Sequence, residues 1–450
     1  MKKKVILGII LVLLLIGAGS LYAYFETDLF KSEKQIFLDT LKNSDILKET
    51  SEDKAVKEYL QKQQNTPYTN DGEISLNMSG IEDEDLEALN NSKIIFDGKT
   101  DNTKKSAEQN ITLKTGIGID IPLKFKKNGE QYGIQTNLIN DKYIVLKNEN
   151  LKKLAERFEI DTEQIPDKID FNKSKFTEKE IKELKEKYYK ILENDLEESY
   201  FKIEKQDKSK ILKLEIPEEK FVNIISNILE EISKDEIILS KLPDGIDQQD
   251  FKDKITSTIS EMKASINTSN KININVYVKS KKITKLEMMY LEEAEITSKI
   301  EIERTNNKDF DIKIYDGNEK ICDISIKTET NENDVTYKIT LNTEGTSSAN
   351  IEFVAQFKNI LTLDNVEENY NINMSSKIEN EDEIDPGMTY TPAVLGDNVQ
   401  IKINYKNTKK FEENISIEEL DSNNSIIIND ATDEDLQKII LNLYTNLGLI

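Results

Sequence analysis

The chain has 450 residues and a formal charge of −24 at pH 7, from 61 basic and 85 acidic side chains. It contains no histidine and no tryptophan, and Cys322 is its single cysteine. These absences exclude Ser-His-Asp and Cys-His nucleophile systems, histidine-held zinc or haem, internal disulfides and multi-cysteine clusters. Arginine occurs only at Arg157 and Arg304, so bidentate forks onto phosphate are scarce, and the net charge repels a nucleic-acid backbone. No nucleic-acid partner is expected.

Met1-Lys2-Lys3-Lys4 precedes an apolar run from Val5 to Tyr24, about 20 residues and long enough for a bilayer core of about 30 Å. Val5, Ile9, Leu13, Ile16, Leu21 and Tyr24 are its candidate membrane-spanning residues. Lysines before the run and Glu26 and Asp28 after it orient it N-terminus in, by the positive-inside rule. The expectation is a single-pass cell-membrane protein with residues 1–4 in the cytoplasm and the bulk of the chain outside. A cleaved signal peptide, cut near Ala18-Gly19-Ser20 or Ala23, is the alternative.

Ser32-x-x-Gln35 reads as a capping box opening a helix, and a second helix is expected over about 52–64, before Pro67. From about 73 the apolar period falls to two. Ile117, Ile119, Ile121, Leu123 and Phe125 alternate with small or polar residues, and Asn128-Gly129 marks a hairpin into Tyr132–Leu138. Residues 81–91 read as an acidic insertion. Helices follow over 148–158 and after Thr177-x-x-Glu180, then strands over about 199–206 and 209–216. Pro217 opens a helix with Phe221, Ile224, Ile225, Ile228, Leu229 and Ile232 on one side; another carries Phe251, Ile255, Ile259, Met262 and Ile266. A meander runs over 271–376, an acidic loop over 379–398, a strand over Val399–Tyr405, and a last helix is capped at Thr432-x-x-Asp435. The stripe of that helix (Leu436, Ile439, Ile440, Leu443, Tyr444, Leu447) reads as a core face, as do those of the other helices.

The fold class expected is α+β: long antiparallel curved sheets packed on amphipathic helices, preceded by one N-terminal transmembrane helix. The expected domains are a cytoplasmic tail (1–4), a transmembrane helix (5–24), a helical stalk or cap (25–72) and two α+β units (73–216 and 217–450). The two units either stand apart or share one continuous sheet.

A membrane segment, a polar ectodomain and one-sided antiparallel strands around helices resemble the lipoprotein-carrier half-barrel, although this chain is longer and carries an anchor. That resemblance implies a curved sheet enclosing an apolar cavity for acyl chains. The stretch Tyr24-Phe25-Glu26-Thr27-Asp28-Leu29-Phe30-Lys31-Ser32-Glu33-Lys34-Gln35 also resembles uncharacterised membrane-anchored proteins of clostridial-type bacteria, which implies no activity.

Ser51/Lys54 and Ser260/Lys263 match a Ser-x-x-Lys nucleophile pattern. However, Lys114-Thr115-Gly116 follows the first too closely and precedes the second, so both read as chance. No catalytic, metal or cofactor residue is nominated. Cys322 is in phase with Ile324 and Ile326 and reads as a core thiol. The function expected is non-enzymatic: an extracytoplasmic protein that binds an amphiphile or lipid in an apolar cavity. The alternative is an envelope scaffold with a fully packed core, meeting other envelope proteins through its surface.

Overall fold

The computed structural model describes residues 31–42, 50–80, 89–158, 160–162, 165–170, 173–206, 209–243, 246–280, 282–306, 308–344, 347–378 and 398–446. The expected span with Val5, Ile9, Leu13, Ile16, Leu21 and Tyr24 lies outside them, as do 81–88 and 379–397 of the acidic segments. Among the described residues no helix is long and apolar enough to cross a membrane. They form an α+β fold of eighteen strands and eight helices.

In chain order, α1 (Glu33–Lys42) and α2 (Ser51–Asn65) precede β1 (Tyr68–Ser79), β2 (Lys93–Asp101), β3 (Ser106–Lys114), β4 (Asp120–Asn128), β5 (Gln131–Thr136) and β6 (Asn140–Lys147). Next come α3 (Leu151–Arg157), α4 (Glu178–Asp195), β7 (Phe201–Gln206), β8 (Ser209–Pro217), α5 (Glu218–Lys234), α6 (Glu236–Ser240) and α7 (Gln248–Ala264). The meander comprises β9 (Lys271–Lys279), β10 (Lys282–Glu292), β11 (Glu295–Thr305), β12 (Asp309–Asp316), β13 (Glu319–Asn331), β14 (Asp334–Thr343), β15 (Ser347–Lys358) and β16 (Val366–Ile378). The chain then forms β17 (Asn398–Phe411), β18 (Ser425–Ile427) and α8 (Asp433–Asn446).

The described residues fall into two compact units, one drawn from those within 31–49 and 170–324, the other from those within 50–169 and 325–446. In the first, β7 to β12 pair antiparallel in sequence order. The register aligns Leu214 with Ile274 and Ile274 with Met288, so one face of β8 to β10 is largely apolar, with Lys210 at its margin. Helices α5 and α7 fill that face. Phe221, Ile224, Ile225 and Ile228 of α5 and Ile259 and Met262 of α7 join Leu212, Leu214, Ile216, Ile274, Val276 and Leu286 in one buried core. Glu218 and Glu219 in the first turn of α5 and Lys234 in its last suit the helix dipole.

In the second unit β14-β15-β16-β17-β1-β2-β3-β4-β5-β6 run antiparallel in that order. The short β18 lies parallel to β6. Residues 412–424 between β17 and β18 have no strand or helix and cross β2 to β6. Lys99 Nζ donates to the Ser416 carbonyl (3.4 Å) and Lys142 Nζ to that of Ser422 (3.2 Å). Leu420 settles over Gly133, where a Cβ would stand 3.3 Å from its methyls. Lys126, fully buried, bonds Glu418 at 2.9 Å and lies over the Tyr143 ring.

Three local expectations change, and one short helix is additional. Residues 115–119 form a turn, with Gly118 at φ +87°; β4 starts only at Asp120, and Ile117 and Ile119 are exposed. In α8 Leu436 is buried while Ile440 and Tyr444 are exposed, so these two are not on a core face; Leu447 of the expected stripe lies outside the described residues. Cys322 is partly exposed on β13 rather than in the core. The five-residue α6, capped by Asp235 accepting from Ile237 and Ile238 N–H, is too short for a periodic signal.

Candidate functional site

Strict alternation along the strands of the second unit gathers apolar side chains on one face. Leu341, Ile351, Met374, Ile401 and Met78 form one row in register across β14, β15, β16, β17 and β1. Ile339, Phe353, Ile372, Ile403 and Leu76 form the next. Ile74, Ile94, Leu113 and Ile121, and beside them Phe96, Ile111 and Leu123, carry the face across to β4. The opposite face of the same strands is mostly polar, with Lys338, Glu352, Asn373, Lys402, Asn404 and Lys93.

The contrast with the first unit lies in what covers the apolar face. There the apolar residues of β8 to β10 are buried under helices, and only those toward the sheet's margins, such as Ile302, Ile312 and Ile314, are partly exposed; here all seventeen of these side chains remain partly exposed. Apart from Phe353, none packs onto a buried cluster among the described residues. Eight strands spaced by about 4.8 Å make this face roughly 34 Å wide. Two or three rows deep, it is on the order of several hundred Å², a size at which apolar surface marks an interaction or ligand site.

One end of the face is closed by α2. The Thr50 side chain accepts from Asp53 N–H and Asp53 accepts from Thr50 N–H, a capping box that starts the helix. Glu52, Ala55 and Tyr59 then fall on one side and are buried. Tyr59 meets Phe357 and Phe411 edge-on at 6.3 and 6.0 Å. Its hydroxyl donates to Glu368 Oε1 at 3.0 Å, and Lys409 Nζ reaches the same oxygen at 3.1 Å. Glu368 Oε2 accepts from Tyr405 hydroxyl (3.2 Å) and Asn407 Nδ2 (3.3 Å). The carboxylate is 4% exposed, so this convergence of donors is what makes its burial tolerable. Burial, and after it the Glu368 charge, pushes the Tyr59, Tyr370 and Tyr405 hydroxyls far above the ordinary phenol range.

An aromatic row runs from this cluster across the sheet. Tyr370 and Tyr405 stack at 5.0 Å and 8°, and Phe96 stacks on Tyr405 at 6.1 Å. Phe96 reaches across β1 because Gly72 has no side chain: a Cβ there would stand 2.7 Å from the Phe96 ring and 2.4 Å from the Lys406 carbonyl. At the far end of β14 to β17 lies a separate polar cleft of about 340 Å³, lined by Asn342, Asn350, Ser375, Ser376, Lys377 and Gln400 among others.

The serines of the two Ser-x-x-Lys matches are engaged elsewhere. Ser51 hydroxyl donates to Glu52 (2.8 Å), and Ser260 hydroxyl to the Thr256 carbonyl (2.9 Å). Lys263 stands 3.9 Å from Glu230. Among the described residues no group of three or more Cys, Asp or Glu side chains is placed to hold a metal ion. Burial raises the Cys322 thiol above its ordinary pKa. Sequence reasoning missed Glu368, Asn407 and Lys409. The signal was present: all three stand in the apolar phase of their strands, Glu368 between Val366 and Tyr370 and the other two between Tyr405 and Phe411.

No family model matches the chain, and no curated protein matches it in sequence. Among solved structures, Pseudomonas aeruginosa OccK5 (OpdH) superposes with 4% identity and a TM-score of 0.14, over 77% of this chain and 98% of that one. A mutant of transferrin binding protein B from Haemophilus parasuis gives 6% identity and 0.13, over 76% of each chain. Salmonella typhi OmpF gives 6% and 0.13, over 77% of this chain and 98% of that one. Scores at this level establish neither a shared fold nor a shared role.

Proposed function

We propose that this chain is a non-enzymatic, membrane-anchored extracytoplasmic protein that binds an amphiphile through the apolar face of its second unit. The observation that carries the proposal is the partly exposed surface formed by β14 to β17 and β1 to β4. An acyl chain laid on that face would shield it from water as α5 and α7 shield the face of the first unit. The anchor is Val5 to Tyr24, oriented by Lys2, Lys3 and Lys4. Membrane lipid is thus the nearest source of ligand. The first unit, filled by its own helices, is a packed module suited to contacts with envelope proteins, and we assign ligand binding to the second unit alone.

The test is photo-crosslinking of the full chain, held in phosphatidylcholine nanodiscs, with a palmitate carrying a diazirine in its acyl chain. Adducts are expected in peptides holding Ile339–Leu341, Ile372–Met374 and Ile401–Ile403. Met374→Glu with Ile403→Glu should remove them while leaving hydrogen exchange in β8 and β9 unchanged. Adducts confined to residues 5–24, or undiminished in the double variant, would overturn the assignment.

A further inference from the structure

Helix α2 is held on the apolar face mainly by polar contacts. Tyr59 is its one large buried apolar side chain, with Ala55 buried and Val56 partly buried beside it. The rest of the hold is hydrogen bonding. Thr330 hydroxyl donates to Glu52 Oε1 (2.6 Å) and Tyr337 hydroxyl to Asp53 Oδ1 (3.0 Å). Lys409 Nζ donates to Gln63 Oε1 (3.2 Å), Lys62 Nζ to the Leu363 carbonyl (3.3 Å), and Tyr59 to Glu368. Two carboxylates, Glu52 and Glu368, are buried in this seam.

Such a seam has two good states and poor intermediates. Docked, Glu52 Oε1 accepts from Thr330 and the Tyr59 hydroxyl is held by Glu368; released, both turn to water; half-open, they would lose these partners before water reaches them, while Glu368 keeps Tyr405, Asn407 and Lys409 throughout. An apolar seam could slide or repack gradually, but this one behaves as a latch. Beneath it Tyr337, Phe357, Tyr370 and Phe411 pack around Tyr59. Tyr370 and Phe357 continue the rows of the open face, Tyr370 opposite Tyr405 and Ala355, and Phe357 opposite Glu368. Tyr59 therefore fills the place that a longer acyl chain lying along the face would reach next.

We propose that α2 is a displaceable lid over the closed end of the apolar face, and that an acyl chain entering the face competes with Tyr59 and releases the Glu368 latch. This rests on acyl binding to the face itself. The experiment follows amide hydrogen exchange in the full chain, in phosphatidylcholine nanodiscs, with and without the diazirine palmitate. Saturating probe should speed exchange of the α2 amides at least fivefold and label peptides containing Tyr370 and Phe411. Tyr59→Phe, which keeps the ring and removes the bond to Glu368, should speed α2 exchange at least threefold without probe, leaving β16 and β17 unchanged. A probe that labels Ile372–Met374 and Ile401–Ile403 but leaves α2 exchange unaltered, or slows it, overturns the lid while sparing the ligand site. No labelling of the face in either protein overturns the ligand site and the lid with it.

Discussion

Truncating one aliphatic side chain in each unit measures how differently the two apolar faces are covered. Leu214→Ala and Ile403→Ala each remove three carbons from a strand. Leu214 is fully buried beneath α5 and α7, so its loss costs about 0.8 kcal/mol per carbon, near 2.4 kcal/mol, plus a term for the sealed cavity. A total of about 2.5–5 kcal/mol is expected. Ile403 is partly exposed, so part of the transfer term is already absent and water fills the gap; about 1.5 kcal/mol or less is expected. Tyrosine emission would merge both units, so the suitable assay is hydrogen-exchange mass spectrometry read strand by strand. Leu214→Ala should accelerate the slowest amides of β8 and β9 by about 60-fold or more, taking 1.4 kcal/mol per tenfold. Ile403→Ala should accelerate those of β16 and β17 by about 12-fold or less. Equal costs at the two positions would mean that the second face is as tightly covered as the first, and the reasoning behind the ligand site would fail.

Gly72→Ala should destabilise the second unit by about 1–3 kcal/mol through overpacking, because its Cβ would meet both the Lys406 carbonyl and the Phe96 ring; urea unfolding checks this, and a neutral result would refute the close approach. The Lys126 ammonium, by hydrogen bond and charge, lowers the Glu418 pKa from its ordinary value. The contribution of that pair is therefore fully present above the unfolded carboxylate pKa of about 4.3 and fades as pH falls through the lower folded value. Exchange in residues 412–424 should accelerate, beyond the intrinsic pH effect, between about pH 5 and pH 3 in the wild type but not in Glu418→Gln; matching profiles would remove Glu418 as the cause. Burial holds the Cys322 thiol above its ordinary pKa, so at pH 8 it should react with a maleimide several-fold more slowly than the unfolded chain. A rate equal to the unfolded one would contradict its placement on β13.

Local structure was legible in the sequence wherever a chemical rule acts within a few residues. The boxes Ser32/Gln35, Thr177/Glu180 and Thr432/Asp435 all close as expected, with hydroxyls accepting from the third residue's N–H. The helix after Pro217 buries Phe221, Ile224, Ile225 and Ile228 of its expected stripe. Alternation misled at Ile117 and Ile119 because Gly116 and Gly118 read as small residues of a wet face, whereas they mark a turn. The partner of each strand was not legible. β1 lies between β2 and β17, and nothing local ties it to a strand so distant in sequence. Nor can alternation reveal whether a face is covered: Ile274 and Ile403 look alike in sequence, and only the helices above Ile274 separate them. Glu368 was hidden by abundance, one acid among 85, although its phase on β16 was the mark to look for.

The place of β1 also sets an order in time. Ser75 and Asn404 touch at 3.3 Å across a separation of 329 residues. At a synthesis rate of about 5–20 residues per second, that separation takes roughly 15–65 s to emerge. During that interval β1 to β6 have no β17 to flank them, while β7 to β12, each paired with its sequence neighbour, can complete their own sheet. β1 is then an unpaired sheet edge, open to pairing with the wrong strand. That exposure ends only when the last long strand, β17, arrives to pair with β1.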